Sequence, residues 1–307
     1  MQRPLFSVII PTYNRAGYLH VAIQSIIAQT CTNWELIVVD DGSSDNTSEL
    51  MKVFTSQDSR IIYVYQQNAE RSAARNNGID SSSGDYISFL DSDDFFAPDY
   101  LEYLEKKIKE NNFPKDKLFV TKLCSLNVIV DDKKMNPLFY VPEDKHVAIW
   151  MFEQFAVVQV MQIVTPREIF LELRFDNRFI MMEDTHLFLR CLSKYEMVTV
   201  PEAESFINSG EQSSVQQAMK KIKMKDVRVY ASMINDLFLN WKFILPPAVD
   251  DSYRRKYLDA KYRMYLYEAS RKKQLKISIR LWFIAFKNRP SLYLATEFPK
   301  LLIRLVK

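Results

Sequence analysis

Three carboxylates fall within four residues at Asp91-Ser92-Asp93-Asp94. Like charges held that close raise one another's pKa unless a cation neutralises them. Magnesium and manganese take oxygen ligands and often bind through one or two carboxylates plus substrate phosphates. Asp91 and Asp93, two apart on an extended segment, are expected to project to the same side. The chemistry on offer is a divalent-cation site that holds a nucleotide diphosphate. The plain alternative is a polar loop whose aspartates cap the following helix. A second pair, Asp40-Asp41, can accept hydrogen bonds from a base or ribose, or simply cap a turn. A third, Glu183-Asp184, opens a helix, where the dipole favours acids. That dipole lowers a carboxylate pKa and weakens a general base unless burial offsets it.

These acids need elements to hold them on one edge. Phe6–Ile10, Glu35–Val39, Ile61–Tyr65 and Tyr86–Leu90 are short apolar runs that read as strands. Between them lie helical stripes: Leu19, Ala22, Ile23, Ile26 and Ile27; then Leu50, Met51 and Phe54; then Ala73, Ala74 and Ile79. Pro98 is expected to open a further helix with Leu101, Leu104 and Ile108 inward. Strands that alternate with helices imply right-handed crossovers and a mostly parallel sheet flanked by helices, an α/β fold. Such sheets bind ligands beyond the carboxyl ends of their strands. Pro11-Thr12-Tyr13-Asn14, Asp40-Asp41-Gly42 and Asp91-Ser92-Asp93-Asp94 all lie there. Farther on, Phe119–Leu123 and Val128–Val130 read as strands. Thr165, Pro166 and Glu168 have the spacing of a capping box, so a helix is expected to start there. After Ser213 the chain reads as helix, broken at Pro246-Pro247, Pro290 and Pro299.

The strings FSVIIPTYNRAGYLHVAIQSIIAQTCTNWELIVVDDGSSDNT, NAERSAARNNGI and GDYISFLDSDD, in that order, resemble the family 2 glycosyltransferases, an inverting family with the GT-A fold. The likeness covers about residues 5–100 and extends to Glu183-Asp184. It implies that Pro11 and Tyr13 line a nucleotide base pocket and that Asp41 hydrogen-bonds the uracil. Asp91-Ser92-Asp93 matches the DxD motif, with Asp93 the direct metal ligand and Asp91 turned toward ribose and metal. Arg71 and Arg75 lie in the segment that approaches the diphosphate or the donor sugar; the resemblance does not say which one does so. Asp184 matches the catalytic base. The implied donor is a nucleotide-sugar, a UDP-sugar first, with Mn or Mg as cofactor. The implied acceptor is a hydroxyl of a glycan or lipid-linked molecule in cell-surface polysaccharide synthesis. Two departures stand out. Phe206-Ile207-Asn208-Ser209-Gly210 lacks the histidine that often completes the metal site. The QxxRW motif and spanning helices of processive members are also missing, so transfer of a single sugar is expected.

Composition narrows the field. The chain has 307 residues, 48% apolar and 26% charged, ordinary for a globular protein. With five glycines and neither GxGxxG nor GxxxxGK[ST], a glycine-rich phosphate loop is not the chemical centre. The three cysteines and three histidines are scattered, which disfavours a zinc site and suits a reducing, cytoplasmic compartment. Residues 1–212 are expected to form the catalytic domain and 213–307 a helical, basic C-terminal region. Residues 251–307 carry 15 Lys and Arg against 4 Asp and Glu, so the tail is basic and the rest acidic. Its aromatics, among them Tyr257, Tyr262, Tyr265, Trp282 and Phe283, suit two readings. One is docking on the anionic cytoplasmic face of a membrane; the other is packing on the catalytic domain or a second copy. Oligomeric state stays open. Nucleic acid fits poorly with an acidic body. Two other functions remain: a nucleotidyltransferase, which would need a more basic loop than Pro11–Arg15, and a nucleotide-sugar-binding scaffold without turnover.

Overall fold

The computed structural model describes residues 4–125, 136–154, 158–208 and 223–288. The chain divides into two compact units. One holds Met1–Glu143 and Val157–Ser209, the other Asp144–Ala156 and Gly210–Lys307. The boundary expected near residue 212 lies outside the described residues.

In the first unit, β1 (Phe6–Thr12), β2 (Trp34–Asp40), β3 (Ile61–Tyr65) and β4 (Tyr86–Phe89) form a parallel set in the order β3-β2-β1-β4. β1 and β2 are buried almost throughout, which is why they read as unbroken apolar runs rather than alternating ones. The crossovers are α1 (Ala16–Ile27), α2 (Thr47–Gln57) and α3 (Glu70–Ser81). Leu19, Ala22, Ile23 and Ile26 of α1 are buried, as their helical spacing predicts. α3 lies close on the sheet because Gly78 has no side chain. A Cβ there would sit 2.4 Å from Ile9 Cγ2 and 3.3 Å from Val39 Cγ2.

Beyond β4 the sheet becomes mixed. The two-residue β5 (Phe95–Phe96) and α4 (Tyr100–Glu110) lead to β6 (Lys117–Ser125), β7 (Ile163–Pro166) and, after α6 (Glu183–Lys194), to β8 (Glu196–Ile207). β7 runs antiparallel to both β4 and β6, β8 pairs parallel with β6, and β5 closes the order against β8. The helix expected at Thr165 does not form. Thr165 and Pro166 are strand residues opposite Ile87 and Tyr86, and only a 3₁₀ turn, Arg167–Leu171, follows. Sheet pairing outweighs the local capping signal there. The strand expected at Val128–Val130 lies outside the described residues.

The second unit contains α5 (Val147–Gln154), α7 (Met224–Asn240), α8 (Asp251–Arg271) and α9 (Leu275–Asn288). Its core is aromatic. Phe152 meets Phe238 at 5.4 Å and Tyr257 at 5.6 Å between ring centroids, and Tyr230 stacks on Tyr257. Tyr257, Tyr262, Tyr265 and Trp282 are buried; Tyr267 and Phe283 are exposed. No helix among the described residues is long and apolar enough to cross a membrane. Pro290, Pro299 and the last part of the basic tail lie outside the described residues.

Candidate functional site

The site is built at the carboxyl ends of β1, β2 and β4 and on the first turn of α6 (Glu183–Lys194). At the end of β2 the two aspartates are held by different partners. Asp40 accepts hydrogen bonds from the Ser43 amide (2.8 Å) and the Tyr63 hydroxyl (2.6 Å). Asp41 Oδ1 accepts from Gln66 Nε2 (2.6 Å) and the Ala69 amide (2.8 Å), and the Asp41 carbonyl accepts from Asn68 Nδ2. Gly42 then turns the chain at φ +83°, where a Cβ would lie 2.9 Å from the Asn68 amide. The Asp41 amide donates to the carbonyl of Thr12, the residue between Pro11 and Tyr13. Tyr13 is 50% exposed. Asn14 bonds Ser43 and Ser44, so the loops after β1 and β2 are stitched into one surface. Pro11 and Tyr13 thus flank the residue whose carbonyl is tied to Asp41.

The acidic segment after β4 is a turn rather than an extended strand, because the Asp94 amide bonds the Asp91 carbonyl at 3.1 Å. Alternation of side chains therefore does not apply, and tertiary partners orient the carboxylates. Asp91 Oδ1 accepts from Arg75 Nη2 at 2.9 Å, and Asp93 Oδ2 from Arg15 Nη1 at 3.0 Å. Burial first, and the charge of Asp91 second, push the Asp93 pKa up. Burial and the charge of Asp91 push Asp94 up to about 8, and its Oδ1 accepts the Asn208 amide at 2.8 Å. Ser92 is buried between them.

Across from this turn, α6 begins after Met182, which adopts a left-handed φ of 62°. A residue with a Cβ rarely stays there unless its surroundings over-determine it. Glu183 accepts from Arg75 Nη1 at 2.6 Å, and Arg71 Nη1 lies 3.7 Å from the same oxygen. Asp184 keeps part of its surface open. Burial, then the charge of Glu183, raises its pKa to about 7 even though Arg75 and the Thr185 amide pull it down. The helix dipole does not win.

The two arginines of the middle segment differ. The Arg75 side chain is 1% exposed and both terminal nitrogens are engaged; that of Arg71 is 45% exposed. Sequence reasoning missed three participants: Arg15 as partner of Asp93, Glu183 as anchor of Arg75, and Gln66 as holder of Asp41. A cluster of acids that dense demands cations, and a parallel sheet returns its strand ends to one edge; those two facts were the available signal, and they name no particular partner.

The residues fit a divalent cation. Five carboxyls (Asp91, Asp93, Asp94, Glu183, Asp184) face three guanidiniums (Arg15, Arg71, Arg75), leaving two negative charges unbalanced when all are ionised. Burial first, and the neighbouring carboxylates second, raise the pKa values of Asp93, Asp94 and Asp184. Asp91 and Asp93 are hard oxygen donors suited to magnesium or manganese. No three His, Cys, Asp or Glu side chains converge into a cage among the described residues. Phosphate oxygens and water would complete the coordination.

Comparison with known proteins bears on the family and the fold. The model of the glycosyl transferase family 2 matches residues 7–117. An uncharacterized glycosyltransferase of Haemophilus influenzae is 35% identical over 216 residues, 69% of this chain and 82% of the relative. The amylovoran biosynthesis glycosyltransferase AmsB of Erwinia amylovora is 33% identical over 207 residues, 64% of this chain and 68% of AmsB. A higher identity, 50% over 104 residues, links 34% of the chain to only 15% of the Streptococcus pneumoniae glycosyltransferase GlyA. Among solved structures, S. aureus TarS 1-349 in complex with UDP-GlcNAc superposes with a TM-score of 0.61 at 17% identity, covering 93% of this chain and 81% of TarS 1-349. The mannosyltransferase PcManGT of Pyrobaculum calidifontis, in complex with GDP-Man and Mn2+, gives 0.60 at 15%, covering all of this chain and 82% of PcManGT. At such identities the two structures speak to the fold.

Proposed function

The chain belongs to glycosyl transferase family 2, with the GT-A fold, and from that premise we propose that it moves a single sugar from a nucleotide-sugar, a UDP-sugar first, to a hydroxyl of a glycan or lipid-linked acceptor in polysaccharide synthesis, with inversion at the anomeric carbon. The observation that carries this reading is Asp184. It is a carboxyl with a pKa of about 7, linked through Glu183 and Arg75 to Asp91 on the acidic turn. The AmsB likeness supports the polysaccharide setting, and the UDP-GlcNAc and GDP-Man complexes of TarS and PcManGT, which share the fold, are in keeping with a nucleotide-sugar donor.

Each residue then has a task. Tyr13 and Pro11 flank the base, and Asp41 accepts a hydrogen bond from it. Asp91 and Asp93 hold Mg or Mn, which when bound offsets the charge that grows on the departing diphosphate. Arg71, exposed at the start of α3, is free to approach the phosphates. Arg75, sealed in, does not reach them and serves as scaffold. Asp184 takes the proton of the acceptor hydroxyl as that oxygen attacks the anomeric carbon, and one in-line displacement inverts the configuration. A base with a pKa near the working pH is matched to that step.

A screen of UDP-, GDP- and dTDP-sugars with manganese tests the assignment by thermal stabilisation and donor hydrolysis. One or more UDP-sugars should raise the melting temperature and be slowly consumed. Stabilisation by none of the donors, or by GDP- or dTDP-sugars in preference to every UDP-sugar, would contradict it.

A further inference from the structure

We propose that Arg75 is a positioning residue that couples the two halves of the site: its guanidinium ties Asp91, on the donor side, to Glu183, the neighbour of Asp184 on the acceptor side. This rests on the donor and base roles assigned above. Arg75 Nη2 donates to Asp91 Oδ1 at 2.9 Å and Nη1 to Glu183 Oε1 at 2.6 Å. These partners lie 16 and 108 residues away in sequence, on different elements. A planar guanidinium offers its donors in a fixed fork, so one contact constrains the other. The group is dry, with the Phe175 ring 5.3 Å from Cζ. Its Nε finds no acceptor among the described residues. A buried cation placed only for stability would be expected to satisfy that donor too. The second cation near Glu183, the exposed Arg71, stands off at 3.7 Å, so the close, buried contact is that of Arg75 at 2.6 Å. The distinctive contribution of Arg75 is the span between two carboxylates.

The span has a functional consequence. Asp91 is shared between Arg75 and any divalent cation on the acidic turn. The Glu183 carboxylate shares Arg75 with Asp91 and so leaves Asp91 the better ligand. With neutral glutamine at position 183, Arg75 falls back on Asp91 and the cation is held less well. By linkage the effect runs both ways: donor and cation, by drawing on Asp91, leave Arg75 to Glu183 and fix the start of α6, where Asp184 sits. The base is thereby steadied when a donor is in place.

The test is calorimetry of UDP binding at fixed manganese in a double-mutant cycle, which reads binding rather than turnover. Glu183→Gln, isosteric and across from the donor, should weaken UDP about threefold to tenfold, a usual range for residues in one network. In an Arg75→Met background the same change should cost less than about twofold. Arg75→Lys, which keeps the charge but cannot span, should behave as Arg75→Met. It also keeps the test decisive if Arg75→Met does not fold. Unchanged affinity in Glu183→Gln, equal losses in both backgrounds, or wild-type behaviour of Arg75→Lys would each overturn the coupling. Asp93→Asn separates the two claims. If it leaves manganese-dependent UDP binding intact, the donor-site reading falls and the coupling with it. If it abolishes that binding while Glu183→Gln does nothing, the coupling alone falls.

Discussion

A carboxylate that must take a proton near neutral pH has to be an unusually good base, and Asp184 becomes one against its local sequence. The first turn of a helix favours the charged form. Burial and the adjacent Glu183 outweigh that preference and raise its pKa to about 7. The sign for activity follows. Asp184 must be ionised to accept the hydroxyl proton, so kcat/KM should fall as pH drops through about 7 and level off above it; a flat profile between pH 5.5 and 8 would argue against this base. Asp184→Asn should keep UDP affinity while lowering turnover by about 10²–10⁴-fold, measured as donor consumption. Near-normal turnover would remove it from the mechanism. At this scale the acids were legible in the sequence as a dense cluster. Arg71 and Arg75 were legible as site residues, but the pairings of arginine with acid were not, because Arg15 and Asp93 stand 78 residues apart and Arg75 and Glu183 stand 108 apart. Only the fold brings them together.

Among the elements, α3 connects most of the site. Its N-terminal approach holds Asp41 through the Ala69 amide, and its body carries Arg71 and Arg75. Gly78 allows it to lie on β1 and β2. In Gly78→Ala the new methyl would meet the fully buried Ile9, which has little room to yield. We expect a loss of about 1–3 kcal/mol in denaturant unfolding, despite the better helix propensity of alanine. UDP binding should weaken as well, since the helix lifts from the sheet. A variant as stable as wild type would mean that α3 can shift freely. The parallel strands β1 to β4 and the helices between them were readable because each carries a single period, continuous apolar or helical, whereas β5 and the irregularly buried β8 were not read. Thr165-Pro166 was misread because local capping chemistry looked like a helix start, while its pairing with Ile87 and Tyr86 is a contact no local pattern reveals.

At the scale of the whole molecule, the catalytic residues proposed here all lie in the first unit. The second unit uses much of its aromatic content internally. Of the aromatics in the basic region, Tyr257, Tyr262, Tyr265 and Trp282 are core, while Tyr267 and Phe283 are exposed among the described residues. Composition alone could not separate packing aromatics from exposed ones, because burial depends on which helix faces which. Nor could it show that Asp144–Ala156 belongs with the C-terminal helices, since the segment is recruited by contacts such as Phe152 with Tyr257. The proposed function requires an acid rim that binds nucleotide through a divalent cation. The most direct measurement is UDP affinity with manganese and with a chelator in its place, in wild type and in Asp93→Asn. Binding at least about tenfold tighter with manganese, and loss of that difference in Asp93→Asn, is the expected result. Equal affinity with metal and chelator in wild type would contradict it.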